Sequence, residues 1–410
     1  MTAFPLPLGE LLGHYGAYAV YLAIGFGFGA VLESAGFGNS KKLAAQFYFK
    51  DLTVFKVMFT AIIVACTLVF LASALGLLDY NLVWVPPTYL WPGIVGGLIM
   101  GVGFIVGGFC PGTSLVGMVT GKIDGLFFVL GVLFGIFLFG ETVSSFALFY
   151  DSSYLGRFTL PEWLGVDYGV VVLGVVLMAL AMFWGAERVE SAVGGPTAQQ
   201  APRWAPLAAT ALVALAVTSL VAGQPDNADR WQRIESEQAA LLEQREVQIE
   251  PAELLSIIHD ARVKTVLLDL RDERHYNQFH IRGARRLSPD RVVPAARELM
   301  FEPANTVFVT MGNDEAAATA AWKQLRAESL PNVYILAGGV NNWIGTYSDE
   351  AFRETHRLAD RADEQPAYRF ETAIGARHPA AEPNPRAFDL EFEPKVKLEL
   401  KRAAEGGGCG

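Results

Sequence analysis

Charge is nearly missing from the first half of this chain. Residues 1–223 hold 8 of the 32 Lys and Arg and 11 of the 42 Asp and Glu, yet make up more than half of the 410 residues. A segment so poor in charge does not make a soluble surface, so it is read as membrane, with a boundary near Gly223. Cysteine is scarce as well. Cys66, Cys110 and Cys409 lie far apart, which excludes a disulfide framework and a zinc site. Basic residues are outnumbered, and the net charge of -10 argues against nucleic acid as a partner. No metal and no cofactor is expected. No basic segment precedes the first apolar stretch, which is therefore read as a retained span, not a cleaved signal.

What is abundant is apolar sequence, 52% of the chain. It falls into six runs at about 15–31, 54–77, 90–109, 126–148, 168–186 and 205–223. Each is long enough, or nearly so, to cross roughly 30 Å of hydrocarbon. Gly25, Gly27 and Gly29 interrupt the first, which predicts a packed or broken helix there. Basic residues in the short loops set the orientation. Lys41, Lys42, Lys50, Lys56, Lys122, Arg188 and Arg203 fall on one side and Arg157 on the other, seven against one. That puts the seven in the cytoplasm, and both termini outside.

The chemistry is placed at 101–114. Gly101, Gly103, Gly107 and Gly108 lead to Cys110, Pro111, Gly112, Thr113 and Ser114, all inside a long apolar region. Glycine allows close backbone approach and Pro-Gly stops a helix. In lipid a broken backbone survives only where protein buries it or where it lines a polar path. Cys110 is thus a candidate pore or substrate residue, and the alternative is a packed helix pair with an inert thiol. The short run 114–121 is read as a re-entrant half-helix. Thr113 and Ser114 either donate to a bound anion or cap that half-helix. Cys66 is read as packing. Glu141, a carboxylate inside a span, is either functional or snorkels from its outer end. Lys122 and Asp124 are read as a cytoplasmic turn.

From residue 249 the pattern changes, after a polar linker at 224–248 whose residues 230–246 read as an amphipathic helix. Apolar runs at 265–270, 306–310 and 332–336 alternate with helical stretches at 251–260 and 315–326. This predicts a soluble α/β domain at 249–350 with a buried parallel sheet. Beyond it, 361–385 is rich in Ala, Pro and charge and is expected to be extended or disordered, and 395–401 alternates like an edge strand.

Three resemblances follow. Gly25-Phe-Gly-Phe-Gly-Ala-Val-Leu-Glu33, Gly36-Phe37, Asp51 with Lys56-Val-Met58, Gly107-Gly-Phe-Cys-Pro-Gly-Thr113 and Gly121-Lys-Ile-Asp124 resemble the YeeE/YedE family of bacterial inner-membrane sulfur-compound transporters. The resemblance implies uptake of thiosulfate past a membrane cysteine, here Cys110. Characterised members carry two such repeats and this chain carries one, so a homodimer or a half-transporter partner is implied. Gly38 stands where members often carry a further cysteine. Leu268-Asp-Leu-Arg271, Phe279-His-Ile-Arg-Gly-Ala284, Pro289, the strand 307–310, Gly338-Gly339 and Trp343 resemble a rhodanese domain. Rhodaneses place a cysteine at the end of that strand, and Met311 stands there, beside Asp314, so the domain is expected to be inactive as a sulfurtransferase. His280 within the signature is read as structural. The terminal Gly-Gly-Gly-Cys-Gly, with Cys409, resembles the carrier arm of the Y subunit of the periplasmic Sox thiosulfate-oxidation system.

The expected whole is a multi-pass inner-membrane transporter of thiosulfate or a related anion. It carries a degenerate periplasmic rhodanese-like domain and a tail, 351–410, whose Cys409 holds sulfur for periplasmic sulfur-oxidation proteins. The competing readings are a membrane-anchored sulfurtransferase that uses Cys409, and a scaffold that transports nothing.

Overall fold

The computed structural model describes residues 4–193, 204–359 and 361–399. The chain divides into two compact units, 2–224 and 225–405. The first holds ten helices among the described residues: α1 (Leu8–Ser34), α2 (Ser40–Ala45), α3 (Thr53–Ala74), α4 (Leu90–Gly107), α5 (Pro111–Val119), α6 (Ile123–Thr142), α7 (Ala147–Tyr150), α8 (Leu160–Leu164), α9 (Tyr168–Val193) and α10 (Ala205–Ala222). Six helical stretches are long and apolar enough to cross a membrane, at the six places expected from the sequence. Of the two shapes expected for the first span, packed or broken, the structure excludes the break at the glycines. Helix α1 runs unbroken through Gly25, Gly27 and Gly29, and its one non-helical residue is Gly13, with φ +67°. Phe26, Phe28 and Val31 beside these glycines are exposed, and in an apolar surrounding i→i−4 bonding decides over glycine's low helix propensity.

Two buried clusters organise this unit. Ile63 of α3, Val172, Val176 and Ala179 of α9 and Ala216 of α10 form one. Phe37, Leu43, Val54 and Phe109 form the other, with Phe104 and Phe128 packed against it. The second lies directly under the Gly-rich break. Helices α5 and α6 are joined by a turn at Gly121 (φ +78°) and press together at Gly117 and Gly125. A Cβ on Gly125 would stand 2.7 Å from the Met118 nitrogen and 2.8 Å from the Gly117 carbonyl carbon, so only glycine fits.

The second unit continues with α11 (Asn227–Glu243), α12 (Pro251–Ile258), α13 (Glu273–Gln278), α14 (Val292–Leu299), α15 (Ala316–Ala327), α16 (Gly339–Tyr347) and α17 (Glu350–His356). Its strands are β1 (Gln248–Ile249), β2 (Lys264–Asp269), β3 (Arg285–Arg286), β4 (Thr306–Met311) and β5 (Val333–Leu336). They form one parallel sheet in the order β1-β5-β4-β2-β3. The three long strands are those the apolar runs predicted. The two-residue edge strands carry no such signal. Trp322 and Trp343 are fully buried, and each indole N–H finds a carbonyl, Val333 at 2.8 Å and Ala380 at 2.7 Å. His280 bonds the Tyr276 carbonyl through Nδ1 at 2.9 Å and stacks on its ring, a structural role. Helix α11, read as linker, packs against α15, where Arg230 meets Glu328 at 2.6 Å.

Beyond α17 the chain is extended, as its composition predicts, but it is held in place. The N–H groups of Lys395 and Val396 both donate to Glu253 at 2.8 Å, that of Lys397 to the Tyr334 hydroxyl at 2.9 Å, and that of Glu399 to the Asn332 side chain at 2.7 Å. The expected edge strand over 395–401 is therefore replaced by an extended segment read by side chains, with no ladder among the described residues. Cys409 lies outside the described residues.

Candidate functional site

Helix α4 stops because Gly108 takes φ +70°, a conformation that costs an L-residue side-chain clash. A Cβ there would also meet the Ser40 carbonyl oxygen at 3.0 Å, and one on Gly107 would stand 2.6 Å from a Phe128 ring carbon. Gly108 is therefore required by the turn and by packing, and Gly107 by packing against Phe128. Phe109 is fully buried and anchors the turn from below. Cys110 follows in extended conformation, and Pro111 occupies the first turn of α5, where its missing N–H costs nothing.

Cys110 is the N-cap of α5. Its thiol accepts the Thr113 N–H at 3.4 Å, and Thr113 Oγ1 accepts the Cys110 N–H at 3.0 Å, a capping box. Thr113 Oγ1 also lies 3.2 Å from the sulfur. Ser114 Oγ donates to the Pro111 carbonyl at 2.7 Å. Of the two readings of Thr113, the geometry shows the cap: its hydroxyl closes the capping box and touches the thiol. Ser114 is spent on the backbone and faces the interior. Gly107, Gly108, Pro111 and Gly112 shape the turn and bring no polar side chain.

The loop after α1 closes over this turn. Ser40 Oγ donates to Asp124 at 2.6 Å, and Gly38 sits where a Cβ would find Glu33 Oε2 at 2.8 Å and Lys122 Nζ at 3.0 Å. Asp124 therefore does more than mark a turn: through Ser40 it ties α6 to the start of α2, with Lys122 close by Gly38. At nine residues α5 is about 14 Å long, half of what a span needs. The result is a half-length helix whose positive end carries a thiol.

Other candidates fall elsewhere. Cys66 packs beside the Ile63–Val172–Val176 cluster, as expected of a packing residue. Glu141 is exposed near the end of α6. Sequence reading missed Glu190, buried in the last turn of α9. It accepts the Leu52 N–H at 2.6 Å and pairs with Lys56. A Glu beside Glu187 and Arg188 at the polar end of a span reads as an ordinary solvated residue, and its partner lies 134 residues away.

In the second unit Met311 is fully buried as the last residue of β4. A thioether has no ionisable proton, so this position supplies no thiolate nucleophile. Burial would raise the Asp314 carboxyl, but hydrogen bonds from Arg361 and Asn341 outweigh it and hold the group below the usual aspartate range. Its pairing is therefore fully present above the ordinary aspartate range and is lost as pH falls through the lowered value.

Comparison with known proteins also divides the chain in two, between residues 234 and 250. The family model described as sulphur transport matches residues 23–234, and that of the rhodanese-like domain matches residues 250–346. Among solved structures, the solution NMR structure of a rhodanese-like domain from Anabaena sp. is 23% identical over 31% of this chain and 95% of that one, with a TM-score of 0.22. No curated protein matches the chain.

Proposed function

The chain belongs to the sulphur-transport family, and from that premise we propose that it carries a sulfur-containing anion, thiosulfate before its relatives, past Cys110. The observation that supports this most is the thiol seated on the N-terminal end of a half-length helix within an apolar helical run. An anion leaving water needs replacement hydrogen bonds. The positive end of α5, with the Gly112 N–H in its first turn, favours an anion, and the polarizable thiol suits the outer sulfur of thiosulfate through an S–H···S contact. Uptake of labelled thiosulfate into proteoliposomes tests the reading. Protein-dependent uptake that unlabelled thiosulfate competes away supports it, and uptake no faster than in protein-free vesicles sinks it.

The proposed assembly is a homodimer. Gly25 and Gly29 of α1, Gly93, Gly97 and Gly101 of α4, and Gly131 and Gly135 of α6 recur every four residues, and none has a neighbour within 4 Å of a would-be Cβ. Small residues at that spacing are how membrane helices approach each other closely. Two copies per nanodisc are expected, and transport by a strictly single copy would exclude the pairing.

The proposed location is a bacterial inner membrane with the second unit in the periplasm, supported by the seven-to-one basic asymmetry over six spans. There Cys409 would carry sulfur. From Glu399, fixed by Asn332, ten residues reach at most about 35 Å, which bounds where the thiol acts. A membrane-impermeant maleimide applied to spheroplasts is expected to label Cys409. Mass spectrometry of the terminal peptide should show a persulfide or thiosulfonate instead after thiosulfate feeding. Protection in spheroplasts with labelling only after lysis would reverse the topology. A free thiol whatever the feeding would remove the carrier role.

A further inference from the structure

Arg157 is the one Lys or Arg that the sequence puts on the outer face of the membrane unit, against seven on the other face. Its loop is bonded to the start of α4. The Thr88 N–H donates to the Gly156 carbonyl at 2.8 Å, the Leu155 N–H to the Thr88 carbonyl at 2.9 Å, and the Leu90 N–H to the Ser153 carbonyl at 3.2 Å. Helix α4 therefore carries this loop at one end and the Cys110 turn at the other, about 27 Å apart along its 18 residues.

The guanidinium lies over an aromatic face, with Arg157 Cζ 5.2 Å from the centre of the Tyr80 ring. That ring is fixed in turn by Phe70 of α3 at 5.0 Å and Tyr168 of α9 at 5.7 Å. A cation held on a ring keeps its N–H groups for another partner. Arg157 Nε is buried and has none. Two residues on, the Thr159 hydroxyl is buried and has none either, and it makes no cap bond to α8. A buried donor without an acceptor is costly, most of all on a charged group, so native structures keep few of them. Two in one short loop, beside the single cation of this face, call for an acceptor from outside the chain. The neighbouring charges say why a cation is needed. Asp79, Asp151, Glu162 and Asp167 lie in the same outer loops. Asp79 accepts the Asn81 N–H at 3.0 Å, and Glu162 accepts the Tyr168 hydroxyl at 3.3 Å. An acidic face repels a free anion, so capture there takes a local positive charge with oriented donors.

We propose that Arg157 and Thr159, beside the Tyr80 ring, form an outer capture site for a small oxyanion of the sulfate or thiosulfate class. Arg157 supplies the charge and its Nε–H, and the Thr159 hydroxyl supplies a second donor. A tetrahedral anion has oxygens enough to meet both. It is held at the outer end of α4 before it reaches the Cys110 turn at the other end, a step that rests on the cargo and orientation proposed above. The occupant is a free anion. A phospholipid headgroup presents the same acceptor oxygens, and the test separates the two sources.

Protection of Arg157 from 4-hydroxyphenylglyoxal tests it, read by mass spectrometry of its peptide in the full-length protein. Sodium thiosulfate and sodium sulfate are the probes, with sodium chloride at equal ionic strength as control. Arg188, whose guanidinium also lies over a ring, that of Trp184, is the internal reference. In phosphate-free maltoside micelles either oxyanion should slow modification of Arg157 saturably and leave Arg188 unchanged. Thr159→Val should raise the half-protecting concentration roughly tenfold, the effect of losing one hydrogen bond to a charged group, without changing the rate in chloride. Protection by neither oxyanion, or equally by chloride, would show that water alone meets the two donors. A Thr159→Val protein protected as well as wild type would remove the two-donor site. Full protection in phospholipid nanodiscs with no oxyanion added would assign the site to a lipid headgroup. Each of these overturns the proposal. In proteoliposomes Arg157→Gln should raise the outside thiosulfate concentration for half-maximal uptake by roughly tenfold or more, with the maximal rate nearly kept. An unchanged value would put the bound anion off the transport route and overturn the capture role. Absence of uptake by the wild type would instead sink the transport reading and leave the protection result standing.

Discussion

Alanine at Cys110 is expected to reduce uptake of labelled thiosulfate into proteoliposomes by roughly tenfold to a hundredfold, the cost of removing one partner of a charged group. The protein should still fold. The thiol is half-buried, so its loss leaves little cavity, and the Cys110 N–H keeps its bond to Thr113 Oγ1. Serine separates chemistry from capping. Cys110→Ser retains an acceptor for the Thr113 N–H and so keeps α5 capped. It replaces a polarizable sulfur by a hard oxygen, and uptake should fall nearly as far as with alanine. Cys66→Ala is the control: that thiol packs beside Ile63 and Val176, away from the turn, and should be nearly silent. Full uptake by Cys110→Ala would end the proposed mechanism.

The turn at Cys110 was legible because the sequence writes it in residues with few conformational choices. Two glycines, a proline and a further glycine within a long apolar run allow few backbones, and the helix break lies among them. The six spans and three long strands were legible for a related reason: burial in lipid or in a sheet interior demands uninterrupted apolar sequence. Glycine alone did not locate the break. Gly25, Gly27 and Gly29 lie in unbroken helix, while Gly13 carries the kink. What could not be read are the polar contacts between distant segments. Glu190 with Lys56, Ser40 with Asp124, and Glu364 with the amides before α15 join residues 134, 84 and about 50 apart. Each partner is an ordinary charged or hydroxyl residue in its local sequence. The stretch at 361–385 shows the same limit. Its composition gives no hydrophobic period, yet hydrogen bonds to the loop before α15 and to α16 fix part of it.

Removing one member of the Asp269–Arg271 pair is expected to be the most damaging single change in the α/β unit. Asp269 closes β2 and is wholly buried, and the Arg271 side chain is 4% exposed. The carboxylate accepts Arg271 Nε at 2.9 Å and Nη2 at 2.6 Å, a bidentate fork, and also the Arg271 N–H at 3.1 Å. The guanidinium reaches on to the Phe279 carbonyl at 2.7 Å, which pins the segment after α13 to the end of β2. Asp269→Ala leaves a buried cation with one carbonyl for company. Such a loss costs about 3–5 kcal/mol, against a total of about 5–15 kcal/mol for a typical domain. The unit should then open at much lower urea, followed by exchange at the β4 amides, which report it apart from the membrane helices. Arg271→Met should do similar harm by stranding the carboxylate. The double change Asp269→Leu with Arg271→Met should recover much of the loss, because two apolar groups leave no charge to solvate. Single variants within about 0.5 kcal/mol of wild type, the level of ordinary surface changes, would mean that the pair is solvated in practice. The Phe279 contact would then be dispensable to the fold.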